Sequence, residues 1–172
     1  MNSVSPIISL VYVIILTSVI NCDELDCNPS NWKHTWTRSG SVWYTHIKKP
    51  GDWKSMEQQC KAIESGRTSL ASIRSIKEKN HIVSADFADG EIWTGGGRIS
   101  DNLWFWYNDN GKRKTLTDIS PTFWSPGRPR TGGPGDELCI GLYNFDGNGT
   151  WFNAPCESKK PALCEIRCND AS

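Results

Sequence analysis

Apolar positions recur first at helical and later at alternating spacing along the chain. Trp53, Met56, Gln59, Cys60 and Ile63 gather near one face of a segment that Pro50 and Gly51 introduce and Gly66 ends, which predicts a first helix. Leu70, Ala71 and Ile73 read as a short buried strand. Ser75 with Glu78 three residues on is a capping-box pattern, and it predicts a second helix through Val83 with Ile76, Asn80 and Val83 on a shared face. From Glu91 the pattern changes to short aromatic-rich strands, Ile92 to Thr94 and then Leu103 to Tyr107, the latter ending at the turn pair Asn110-Gly111. Pro and Gly concentrate from Ser125 to Gly135, a long surface loop. Leu138 to Tyr143 and Thr150 to Asn153 then read as a hairpin around Asp146-Gly147-Asn148-Gly149, and Ala162 to Ile166 as a last strand. Helices first and strands afterwards predict an α+β fold.

Before the first of these elements, Ile7 to Ile20 form an apolar stretch followed by Asp23, Glu24 and Asp26, the layout of a secretory signal peptide spanning residues 1–22 with cleavage after Cys22. The competing reading, a membrane anchor, needs a longer run and a basic cytoplasmic flank. Residues 23–172 then make a single domain, with a core of about 31–168, and no membrane insertion is expected. Cleavage leaves six of the seven cysteines: Cys27, Cys60, Cys139, Cys156, Cys164 and Cys168. No pair has C-x-x-C spacing, so disulfides fit better than metal, although six cysteines allow about 15 connectivities. The 19 basic residues balance the 19 acidic ones. With no basic stripe, nucleic acid is not an expected partner.

These residues resemble the C-type lectin-like domain from about Asn31 to Cys168. Trp53 with Cys60 is similar to that family's first helix, and Leu70-Ala71-Ser72-Ile73 followed by Glu78 to its strand and second helix. Ile92-Trp93-Thr94-Gly95 resembles its central Trp-Ile-Gly motif, followed by Trp104, Trp106, Gly111, Trp124, Cys139, Trp151 before Cys156, and Cys164. The resemblance implies two helices flanking small antiparallel sheets, a long surface loop, and disulfides Cys60–Cys164 and Cys139–Cys156. Cys27 and Cys168 are left to tie the two ends together, a departure from the family's usual N-terminal hairpin disulfide.

Members that bind sugar through calcium carry a Glu-Pro-Asn or Gln-Pro-Asp triplet in the loop and Trp-Asn-Asp on the following strand. Here these read Arg128-Pro129-Arg130 and Trp151-Phe152-Asn153; Glu137 remains at a ligand position, while Leu138 replaces an acidic neighbour. Calcium takes about six to eight oxygen ligands. No bound cofactor or metal is therefore expected. Trp93, Trp104, Trp106 and Trp151 are expected in the core. Trp124, Arg128, Arg130, Glu137, Phe152 and Asn153 are the candidate ligand-binding residues, the arginines suiting a carboxylate or sulfate. Asn148-Gly149-Thr150 is a glycosylation acceptor motif. His34, His46 and His81 lie in unrelated segments without a catalytic motif, so no enzyme activity is expected. The expected function is extracellular recognition of a glycan or, alternatively, of a protein ligand.

Overall fold

The structure, a computed structural model, describes residues 27–30, 33–64, 66–87, 90–100, 103–107, 113–115 (backbone only), 122–130, 138–145 and 147–168. The segment 1–22, the Asn110-Gly111 turn, the end of the Pro/Gly loop and Glu137 lie outside them. In chain order the elements are β1 (Thr37–Ser39), β2 (Val42–Gly51), α1 (Trp53–Ile63), β3 (Ser69–Leu70), α2 (Ile76–Ser84), β4 (Glu91–Ser100), β5 (Leu103–Tyr107), β6 (Arg113–Thr115), β7 (Cys139–Tyr143), β8 (Thr150–Ala154) and β9 (Lys160–Arg167).

The strands join into one hydrogen-bonded network in the order β1-β2-β9-β4-β5-β6, with β3 on β9 and the β7–β8 hairpin branching from β4. Every pairing is antiparallel except β4 with β9, which meet in parallel at Trp93 and Ala162. A register shift between Trp93 and Gly96 lets β4 serve β5 on one side and β7 on the other. Such a bulge bends the strand and re-aims its side chains.

Helix α1 starts where the Asp52 carboxylate accepts the Ser55 N–H at 2.8 Å, and it buries Trp53, Met56, Cys60 and Ile63 as its spacing predicts; Gln59 faces solvent. The buried face of α2 differs from expectation. Glu78 and Ile82 point inward, while Ile76 is 53% exposed and Asn80 is exposed. The cause is an ion pair that outweighs hydrophobic spacing. Arg167 Nη1 donates to Glu78 at 2.8 Å, and Arg167 Nη2 donates to the fully buried Glu165 and to the Ser72 carbonyl, each at 2.9 Å. Ser72 Oγ donates to the other Glu165 oxygen at 2.8 Å. Burial pushes the Glu165 carboxyl above the usual carboxylate range, with Arg167 and Ser72 opposing the shift. Ser75 caps α2 as expected, its Oγ accepting the Glu78 N–H at 3.2 Å, but the Glu78 carboxylate returns to the Arg74 N–H rather than to that of Ser75.

Two apolar clusters fill the two faces of the sheet. One contains Tyr44, Ile82, Phe87, Trp104, Trp106 and Trp151, the other Trp53, Met56, Leu70, Trp93, Phe152 and Ile166. The four tryptophans expected in the core are all buried. All three implied disulfides are present, Cys27–Cys168, Cys60–Cys164 and Cys139–Cys156, and their loops nest inside one another. The N-terminal arm is further held where Arg67 donates to the Asn28 carbonyl at 3.2 Å and Ser30 Oγ donates to the buried Glu64.

Candidate functional site

The loop ahead of β7 begins by adding itself to the edge of β8. Trp124 pairs in parallel with Trp151, the Trp151 N–H donates to the Phe123 carbonyl at 2.6 Å, and the Ser125 N–H donates to the Trp151 carbonyl at 2.9 Å. Ser125 Oγ adds a hydroxyl bond to Thr150 at 2.7 Å. Pro126-Gly127 then turns the chain, with the Arg128 N–H returning to the Ser125 carbonyl at 3.0 Å and Gly127 at φ 75°. Proline first and a left-handed glycine second is the residue order that a type II turn requires. The sequence therefore folds the first half of this loop back on the strand that carries Asn153. The Arg128–Pro129 peptide bond that follows is cis.

Asn153 is wholly buried and grips the loop from below. Its Oδ1 accepts the Arg130 N–H at 2.9 Å, and its Nδ2 donates to the Arg130 carbonyl at 2.7 Å. These reciprocal bonds satisfy a loop backbone in the way a strand partner would. Arg128 reaches across the same residue, its Nη1 donating to the Asn153 carbonyl at 2.8 Å and to Oδ1 at 3.3 Å. One guanidinium thus lies on two neutral oxygens. Arg130, by contrast, is exposed.

These distances separate the candidate residues. Arg128, Arg130 and Asn153 form one constellation, but only Arg130 presents its side chain outward; Arg128 is turned in and Asn153 is a holder of backbone. Trp124 is half-buried, its ring edge-on to Trp104 at 5.1 Å and to Trp151 at 5.6 Å, so it offers solvent only part of itself. Phe152 is withdrawn from the candidate surface. It is 5% exposed, lies 6.2 Å from the Trp93 ring, and sits so close to Gly141 that a Cβ there would meet its ring at 2.3 Å. Strand alternation places it opposite Trp151, and that opposite face is covered by the second apolar cluster rather than by water. Glu137 lies outside the described residues. Asn148 is exposed at the far end of β8 from Asn153.

Calcium fits these residues poorly. The ion needs several oxygens free to converge at about 2.3 to 2.6 Å. Here both Asn153 oxygens accept from the Arg128 guanidinium, Oδ1 accepts the Arg130 N–H as well, and the Arg130 carbonyl accepts from Asn153. Among the described residues no group of three or more His, Cys, Asp or Glu could hold a metal.

Sequence reasoning missed two features. Lys160 lies 5.2 Å from the Trp93 ring and 5.4 Å from Phe152 while pairing with Glu91, an arrangement that no local motif announces. The docking of 123–125 on β8 was also missed, although the Ser-Pro-Gly-Arg turn signals that the chain reverses there.

The model of the family described as "Lectin C-type domain" matches residues 49–166. The galactose-specific lectin nattectin of Thalassophryne nattereri is 32% identical over 134 residues, 75% of this chain and 76% of that protein. Human lithostathine superposes with a TM-score of 0.64 at 21% identity, covering 81% of this chain and 90% of that one. A calcium-independent type II antifreeze protein superposes with a TM-score of 0.62 at 22% identity over 81% of this chain and 94% of its own. A matched domain that spans the first helix, the tryptophan strands and the inner disulfides makes the chain a member of the C-type lectin domain family.

Proposed function

We propose that the chain is a secreted recognition protein that binds carbohydrate on cells or extracellular matrix without a bridging calcium ion. The observation that carries this reading is the Arg128 guanidinium on both Asn153 oxygens, with the Arg130 backbone locked to the same side chain. A positive group built into the chain holds the loop in shape, so no metal is needed to order it. Exposed Arg130 and the open part of Trp124 then offer one charge and one aromatic edge, suited to an anionic sugar. The family membership, and a relative named for galactose specificity, support a carbohydrate ligand. Three disulfides among the described residues support an oxidising, extracellular setting. Recognition rather than catalysis is the proposed role, and Arg130 is its most direct contact.

The test is binding of oxidised, purified protein to a glycan array with calcium and with chelator, beside Arg130→Ala. Binding in both conditions that falls at least tenfold in the variant is expected. Loss in chelator would overturn calcium independence, and no binding in either condition would replace the sugar by a protein ligand.

A further inference from the structure

The turn that closes the β7–β8 hairpin carries two features that the recognition site does not use. Phe145 is 62% exposed, more than any other large apolar side chain among the described residues. Three residues later stands Asn148, exposed, the first residue of the acceptor motif Asn148-Gly149-Thr150 and placed between Gly147 at φ 71° and Gly149 at φ 61°. Both lie in the turn between the two strands. Tyr143 and Thr150 are directly opposed across the two strands, so their side chains share a face. Their neighbours in the pairing, Leu142 and Trp151, are both buried, while Tyr143 and Thr150 are half-buried where the hairpin leaves the core. Phe145, just past the end of β7, lies 4.7 Å from the Tyr143 ring, and Asn148 stands shortly before β8 begins. Lys79 Nζ donates to the Asn148 carbonyl at 2.7 Å and holds this turn against α2.

We propose that Asn148 carries an N-linked glycan whose first sugar ring packs on the exposed face of Phe145. A pyranose ring has an apolar face of C–H groups, and an aromatic face in the same turn removes that surface and its own from water. The attachment forms a bond between Asn148 Nδ2 and the anomeric carbon of an oligosaccharide carried on a polyprenyl diphosphate. The bond from that carbon to the diphosphate oxygen breaks, the diphosphate leaves with the electron pair, and the amide gives up one proton. The inference rests on the proposed secretion, because the donor lies on the secretory route.

The test expresses the full chain in glycosylating cells, once with its own N-terminus and once behind a second, established secretory leader. In the second arm, complete enzymatic removal of N-glycans should lower the mass by one glycan in the wild type and by nothing in Asn148→Gln. Trimming the glycan to its first sugar should keep the thermal midpoint, complete removal should lower it by several degrees, and in Phe145→Ala the two treatments should give the same midpoint. No mass change in that arm overturns the glycan. A mass change with equal loss in wild type and Phe145→Ala overturns the stacking. Glycosylated protein from the second arm with none in the medium from the first upholds the acceptor site and removes the secretion reading instead.

Discussion

Two arginines show how differently one side chain is used in this domain. Arg167 is set between two carboxylates, Glu78 and the wholly buried Glu165, and ties β9 to α2. Arg128 is set on the neutral carbonyl and amide oxygens of Asn153 and ties a surface loop to β8. The first belongs to a charge cluster that cannot lose a member without stranding another in the core. The second belongs to a loop that folds locally, so its loss is felt near the ligand face. The comparison teaches that the scaffold and the recognition loop draw their order from separate polar networks.

The largest effect expected from breaking that contrast is at Arg167. Arg167→Met leaves Glu165 and Glu78 buried without their guanidinium, a change that costs about 3 to 5 kcal/mol. Denaturant unfolding with the disulfides intact measures it, and a loss of less than ~1 kcal/mol would mean that Arg167 is no more a part of the scaffold than Arg128 is. A smaller loss is expected at Asn153, where alanine strands the Arg130 backbone and removes the longer of the two Arg128 bonds while keeping the one to the backbone carbonyl, about 1 to 3 kcal/mol. Faster proteolytic cleavage confined to the loop, with the amides of β9 as protected from exchange as before, is the accompanying sign. Equal loss of protection in β9 would mean that the two networks are one.

The smallest effect is a pH dependence. Burial holds the His46 imidazole below its ordinary value, with Lys48 and His34 adding to the shift, and burial does the same to His81, whose Nε2 lies 2.9 Å from Thr37 Oγ1. Each takes up a proton less readily when folded than when unfolded. The stability they contribute is therefore complete above the ordinary histidine range and declines as pH falls through the window below about 6.5. Glu165 acts in the opposite sense: its raised carboxyl binds a proton more readily in the folded state, so its contribution improves as pH falls through the raised range. Thermal midpoints taken from pH 7 to pH 5 should decline, and His81→Asn should flatten the decline. An unchanged slope in that variant removes His81 from the account.

Much of the scaffold was legible in the sequence because its signals are local. Trp53, Met56, Cys60 and Ile63 declare α1, and Leu103 to Tyr107 declare β5 residue for residue. Strand β2 was not declared. Val42 and Tyr44 alternate as a strand should, but Thr45 is buried beside them and Lys48, Lys49 and Pro50 end the pattern in polar residues. The face of α2 was set by Arg167, 89 positions from Glu78, a distance no window can span. At the site, sequence could place Arg128 and Arg130 on one loop but could not tell which turns inward. That depends on Asn153, whose amide is brought to the loop by the long-range pairing of β8 with β7.

The nested disulfides give the domain a property of their own. The Cα atoms of Cys27 and Cys168 stand 5.5 Å apart, so residues 27–168 make a covalent ring. A single nick anywhere inside it releases no fragment, because the two new ends stay joined through the disulfide. The same closeness lets the ring be spliced into a surface loop of an unrelated protein, which would carry it as a pendant with almost no displacement of its own chain.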